Sequence, residues 1–120
     1  MANILIVDDS SSMRQMISFT MTQARHTITE AVDGAEALKI ASKGTFDLVI
    51  SDINMPNMDG ITLVTELRKI ASYKFIPILL LTTESANDKK KAGRAAGATG
   101  WLVKPFNPEQ LIATVKKVLT

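Results

Sequence analysis

Cysteine is absent from the 120 residues, which excludes disulfides and thiolate metal centres and suits a reducing, cytoplasmic setting. No long hydrophobic run is present either. The longest, Ile76 to Leu81, is interrupted by Pro77 and is far too short to span a bilayer. The N-terminal stretch from Met1 to Asp8 has no basic segment, and its apolar run is too short for a signal peptide. There is no low-complexity tract, internal repeat or linker. Histidine occurs once, at His26, on a segment with edge-strand character, and it is assigned no role. What remains is an ordinary globular composition, 46% hydrophobic and 22% charged, in a chain long enough for one core and too short for two. The expectation is one domain over residues 1–120, monomeric, without an effector or nucleic-acid-binding domain.

Net charge is only +2, but the two signs are separated along the chain. Residues 1–67 carry four Lys/Arg against nine Asp/Glu, and residues 68–120 carry ten against three. This pattern suggests an acidic site in the first half and a basic face in the second.

Two kinds of segment alternate. Ile4–Val7, Phe46–Ile50 and Ile76–Leu81 are nearly continuous apolar runs, as expected of strands buried on both faces of a parallel sheet. His26–Ala31 alternates and Ala98–Val103 is mixed, so both read as edge strands. Between them apolar residues recur at helical spacing. The first set is Met13, Met16, Ile17 and Thr20; the second is Ala37, Leu38 and Ala41; the third is Ile61, Val64, Leu67 and Ile70. The last helix presents Leu111, Ile112, Val115, Val118 and Leu119. Asp33-Gly-Ala-Glu36 and Asn107-Pro-Glu-Gln110 are capping boxes, and Gly44 and Gly97 stand where helices should end. A fourth helix, Ser85 to Ala96, is weak: its apolar residues are nearly all alanine, and Gly93 costs about 1 kcal/mol relative to alanine. Five strands alternating with five helices predict an α/β, doubly wound (βα)5 parallel sheet, flavodoxin-like, with strand order 2-1-3-4-5.

In such sheets the site lies outside the carboxyl ends of the strands, at the switch point between the first and third. Asp8-Asp9 ends the first strand, Ser51-Asp52 the third, Thr82-Thr83 the fourth and Lys104-Pro105 the fifth. Two like charges roughly 4 Å apart repel by about 4 kcal/mol at an effective dielectric of 20, and Lys104 offsets only part of that for three carboxylates. Either a carboxylate keeps a proton or a cation binds, and an all-oxygen site with room for water suits Mg²⁺. Capping of the first helix would require one acid, not two with Asp52 opposite. A metal-bound carboxylate invites phosphoryl transfer. Asp52 would be the nucleophile, Lys104 and the Thr82 hydroxyl would hold phosphoryl oxygens, and backbone N–H groups near Asn54 would complete the cradle.

These residues, with Asp52-Ile-Asn-Met-Pro-Asn-Met-Asp-Gly60 and Trp101-Leu-Val-Lys-Pro-Phe106, resemble the receiver domain of two-component response regulators, most of all its chemotaxis branch. The resemblance runs from Ile4 to Leu119. It implies phosphorylation of Asp52 by a phosphohistidine on a sensor histidine kinase of the CheA type. It also implies Mg²⁺ held by Asp8 or Asp9, Asp52 and the Asn54 carbonyl, and a cis bond between Lys104 and Pro105. Such a domain is a phosphoacceptor, not an enzyme acting on other substrates. In the family the Thr82 position moves toward the phosphoryl group and an aromatic on the fifth strand turns inward; here that position is Trp101. Trp stands where Tyr or Phe is common, and Thr83 where Ala or Gly is common. Glu84 and Asn54 flank the pocket and bear on the attacking water.

Lys89, Lys90 and Lys91, with Arg94, border Trp101 on the surface that receivers present to partners. An acidic segment of another protein is the expected partner, such as the flagellar motor switch; a phosphatase and a phosphate-sink role also fit. Two rival chemistries find less support. A phosphate loop after the first strand would want glycine instead of adjacent acids. A phosphatase with an aspartyl intermediate would want a second acid where Asn54 stands.

Overall fold

The computed structural model describes residues 2–83 and 87–119. Strands β1 (Asn3–Val7), β2 (Thr27–Ala31), β3 (Leu48–Asp52), β4 (Ile78–Thr83) and β5 (Gly100–Lys104) form one parallel sheet in the order β2-β1-β3-β4-β5. They alternate with helices α1 (Ser11–Gln23), α2 (Gly34–Lys43), α3 (Gly60–Arg68), α4 (Asn87–Ala96) and α5 (Pro108–Leu119). The fold expected from the apolar pattern is therefore the fold observed. β3 and β4 each begin two residues later than the apolar runs do, and β3 ends at Asp52 as expected. The anticipated start of the fourth helix at Ser85, and Glu84 beside it, lie outside the described residues.

Alternation within the central strands divides the core. Ile4 and Ile6 face Ile17, Met21, Leu111 and Val115 of α1 and α5. Leu5 and Val7 face the other layer, where Ala37, Leu63, Val64 and Leu67 of α2 and α3 close the core. The helix stripes shift slightly from those expected. Leu63 replaces Ile61 as a buried position on α3, and Ile112 on α5 is 41% exposed because the α5 stripe facing the sheet is only Leu111 and Val115 wide. α2 starts with the Asp33 cap accepting from the Glu36 N–H, while Glu36 reaches back to the Val32 N–H. Around α5 the box is reciprocal between Asn107 and Gln110. Gly97 ends α4 with φ of 112°, in the left-handed region, whereas Gly44 ends α2 in extended backbone.

Two anchors hold the connections. Arg68, at the end of α3, donates to the carbonyls of Tyr73, Ile76 and Gly97, and burial lowers its pKa. Tyr73 is buried, and its hydroxyl lies 2.7 Å from the Ala41 carbonyl and 2.8 Å from that of Gly44 at the α2 C-terminus. Helix α4 is the exception to tight packing. Gly93 is its one buried residue among those described, and a Cβ there would come within 2.8 Å of Leu80 Cδ1. The glycine that weakens the helix is thus also what lets it approach β4.

Candidate functional site

Parallel register brings the strand ends to one rim. Val7 pairs with Ser51, Asp52 with Leu81, and Thr83 with Lys104. Asp8, one residue beyond β1, therefore stands beside Asp52, and carboxylate oxygens of Asp8, Asp9 and Asp52 all lie within 4.8 Å of one another.

The three acids are held differently. Asp8 is fully buried; its Oδ1 accepts from the Ser10 N–H at 2.9 Å, and its own N–H donates to the Ala31 carbonyl. Among the described residues Asp8 Oδ2 receives no hydrogen bond, and Lys104 Nζ stands 3.6 Å from it, an ion pair but too long for a hydrogen bond. Asp9 is exposed at the mouth. Asp52 Oδ1 accepts from the Ile53 N–H at 2.9 Å and forms an ion pair with Lys104 Nζ at 3.2 Å. Burial pushes the Asp52 carboxyl above its ordinary pKa, with the Asp8 charge adding to it; Lys104 pulls the other way without cancelling the rise.

Helix capping does not account for the acids. Ser10 is the N-cap of α1, accepting from the Met13 N–H, so Asp8 and Asp9 are left over. Three carboxylates and one ammonium sum to −2 when all are ionised. A buried carboxylate oxygen without a donor is costly in a low dielectric. An oxygen-liganded divalent cation would satisfy that oxygen and the charge together, so the donor set fits such an ion.

A cleft of about 240 Å³ opens beside these acids, lined by Asp52, Ile53, Asn54, Thr82, Lys89 and Lys104 among others. Thr82 is buried, and its hydroxyl donates to the Thr83 carbonyl at 3.2 Å instead of to the acidic group. The Lys104–Pro105 peptide is cis, as the resemblance implied. Trp101 is half-buried against the α2–α3 core layer, with the Arg94 guanidinium 5.1 Å and Lys90 Nζ 5.6 Å from its ring centroid. The three consecutive lysines take different places around the helix: Lys89 lines the cleft, Lys90 lies over the indole, and Lys91 is exposed.

Sequence reasoning overlooked the loop that shapes the site. A Cβ on Gly60 would overlap the Asp52 carbonyl oxygen, and the Gly60 N–H donates to the Ile53 carbonyl at 2.8 Å, so α3 can start here only with glycine. Asn57, with φ of 68°, donates to Asp33 Oδ2 at 2.7 Å, and the Gly34 N–H donates to the Met58 carbonyl. Hydrogen bonds from the Glu36 N–H and from Asn57 hold the Asp33 pKa low. The signal available was Asp59-Gly60, a helix cap in which Asp59 accepts from the Thr62 N–H.

A larger groove of about 550 Å³ lies at the opposite ends of the strands, lined by Met21, His26, Asp47 and Lys116 among others. His26 Nδ1 there accepts from the Ala2 N–H, and burial, then the N-terminal charge, lowers its pKa. No three acidic or histidine ligands converge there among the described residues, so the chemistry belongs to the rim.

Residues 4–116 match the response regulator receiver domain. Chemotaxis protein CheY of Pseudomonas aeruginosa is 39% identical over 116 residues, covering 96% of this chain and 94% of that protein. Transcriptional regulatory protein PrrA of Mycobacterium tuberculosis is 40% identical over 116 residues, 97% of this chain but 49% of that protein. The chain therefore spans about half the length of PrrA. The solved structure of the chemotaxis response regulator CheY4 of Vibrio cholerae is similar with a TM-score of 0.95 and 55% identity, over 99% of each chain. Matched along nearly its whole length in sequence and in fold, the chain belongs to the receiver-domain family of response regulators, a signalling domain of two-component systems.

Proposed function

We propose that this chain is a phosphoacceptor switch in which Asp52 receives a phosphoryl group from the phosphohistidine of a sensor histidine kinase. The observation that carries the reading is the pairing of Asp52 with Lys104 and with a buried Asp8 oxygen that has no donor among the described residues. Asp8, Asp9, Asp52 and the Asn54 carbonyl would hold Mg²⁺, which supplies charge neutralisation to the incoming phosphoryl group. An Asp52 carboxylate oxygen attacks phosphorus in line, the P–N bond of the phosphohistidine breaks, and the imidazole leaves with the electron pair and takes up a proton. Lys104 Nζ, already 3.2 Å from Asp52, pairs with a phosphoryl oxygen, and the Thr82 hydroxyl turns from the Thr83 carbonyl to another. That turn empties space behind Thr82 into which Trp101 moves, altering the α4–β5 surface.

The reading places the protein in the cytoplasm as a monomer; no described helix is long and apolar enough to cross a membrane. Its kinase would be of the CheA type and its output the docking of an acidic protein segment, the flagellar motor switch being favoured by similarity to CheY and CheY4. A phosphate-sink role or a different target is the second reading, favoured by the 40% identity to the transcriptional regulator PrrA, close to the 39% shared with CheY. No nucleic-acid contact is needed, and a phosphatase would reset the switch.

The test is intact-mass spectrometry after incubation with Mg²⁺ and a small acyl-phosphate donor. Wild type gains one phosphoryl group and Asp52→Asn gains none. Incorporation that persists in Asp52→Asn, or in excess chelator, contradicts the assignment.

A further inference from the structure

Arg14 occupies an electrostatically unfavourable place. It lies near the start of α1, where the helix dipole favours anions, and no acidic residue occupies the first turn of that helix. Its side chain is nevertheless only 17% exposed and is held at two of its nitrogens. Nη1 donates to the Asp8 carbonyl at 2.7 Å, and Nε donates to Glu30 Oε1 on β2 at 3.1 Å. The other Glu30 oxygen accepts from the Ser18 hydroxyl at 2.9 Å, so the carboxylate that orients the guanidinium is itself oriented from α1.

The carbonyl of Asp8 belongs to the peptide joining Asp8 to Asp9. Holding that oxygen fixes the peptide plane and so the direction in which Asp9 leaves the chain. On the other side of Asp8, its N–H is bound to Ala31 and its Oδ1 to the Ser10 N–H. Arg14 closes the remaining freedom of this short segment. The bond is made to a neutral carbonyl and not to any site carboxylate, so the guanidinium orients the acids without pairing with them.

We propose that Arg14, held by Glu30 and Ser18, is the positioning residue that aims Asp8 and Asp9 for a divalent cation. The inference rests on the reading of the acidic cluster as a Mg²⁺ site. Position and bare charge predict opposite signs. A cation near the site repels Mg²⁺, so its removal would tighten binding if charge alone mattered. If Arg14 acts by aiming the acids, its removal loosens binding although a positive charge has gone.

The probe is MgCl₂ alone, titrated into the full chain by isothermal calorimetry, with melting temperatures recorded in chelator. Arg14→Gln is expected to raise the Mg²⁺ dissociation constant about tenfold, the size usual for partners that orient metal ligands. Arg14→Lys keeps the charge but cannot span the Asp8 carbonyl and Glu30 with one planar fork, and it should fail to rescue. Glu30→Gln leaves Arg14 and Asp8 in place and should weaken binding about two- to threefold, below the full effect of losing such a partner. Unchanged or tighter Mg²⁺ binding in Arg14→Gln overturns the proposal, including the case where only its melting temperature falls. If Arg14→Gln does not fold, Glu30→Gln decides, and wild-type affinity there overturns it. Wild type that takes up no Mg²⁺ overturns the metal-site reading itself. Binding that is lost in Asp52→Asn but intact in the Arg14 variants sinks this inference alone.

Discussion

The two sides of the rim are built to different stiffness. Around β1 and β3, the Asp8, Asp33, Asp52 and Gly60 positions are each fixed by backbone hydrogen bonds, and Asn57 ties the loop after β3 to the cap of α2. Around β4 and β5, the Thr82 hydroxyl is turned to its neighbour's carbonyl, α4 buries only a glycine among its described residues, and Trp101 is half-buried beneath two cations. One side holds the groups that would bind the cation and the phosphoryl group. The other holds those that would respond. A site whose acids shifted would lose its ligand, whereas a surface that could not shift would report nothing, so soft packing around α4 suits a readout as tight packing suits the acids.

The stiff side should break first and hardest. Gly60→Ala forces a methyl group into the Asp52 carbonyl and should cost about 3 kcal/mol in urea unfolding, the upper end for overpacking a close contact. Asp52→Asn should act in the opposite sense. In chelator it removes a partly buried charge beside Asp8 and should raise stability at neutral pH by about 1–2 kcal/mol, between the water and protein limits for like charges at this range. The pH dependence follows from the raised Asp52 pKa. The protonated form is favoured by folding, so the cost is absent below the unfolded carboxyl value and complete above the folded one. The gap between variant and wild type should open as pH rises through the acid range, and a gap constant with pH would count against it.

Smaller effects are expected on the soft side. In Gly93→Ala the helix-propensity gain of about 1 kcal/mol works against the contact with Leu80, whose methyl end can give way, so the net change should stay within about 1 kcal/mol. A loss above about 2 kcal/mol by thermal melting would mean that α4 is seated as tightly as α3, and the contrast would fail. Arg94→Ala should cost least, about 0.5 kcal/mol for one exposed cation–π contact, and should shift Trp101 emission.

Much of this contrast was legible in the chain. Strand order followed from the continuous aliphatic runs at Ile4–Val7 and in β3 and β4 against the mixed ones at the edges. The acids followed from the rule that sites lie at the carboxyl ends of such strands. The weakness of α4 was visible in its alanines. What escaped were contacts between residues far apart in sequence that leave no local pattern. Arg68 meets the Gly97 carbonyl 29 positions away, and Tyr73 reaches the end of α2. Arg14 meets Glu30, 16 positions away, only because β2 lies beside α1. Gly93 read as a defect because helix propensity says nothing of the Leu80 side chain it must clear. Ile112 fitted the helical spacing, but its burial depends on how wide a stripe the sheet covers.

The central claim is that phosphorylation of the stiff side is read out on the soft side. Amide hydrogen exchange by mass spectrometry, on the Mg²⁺-loaded chain with and without a stable phosphoryl mimic at Asp52, tests it directly. The account predicts a change in exchange of tenfold or so over residues 87–104, on the order of 1.4 kcal/mol in local opening, with little change over residues 33–43 and 60–68. Equal changes on both sides, or a change confined to α2 and α3, would contradict it.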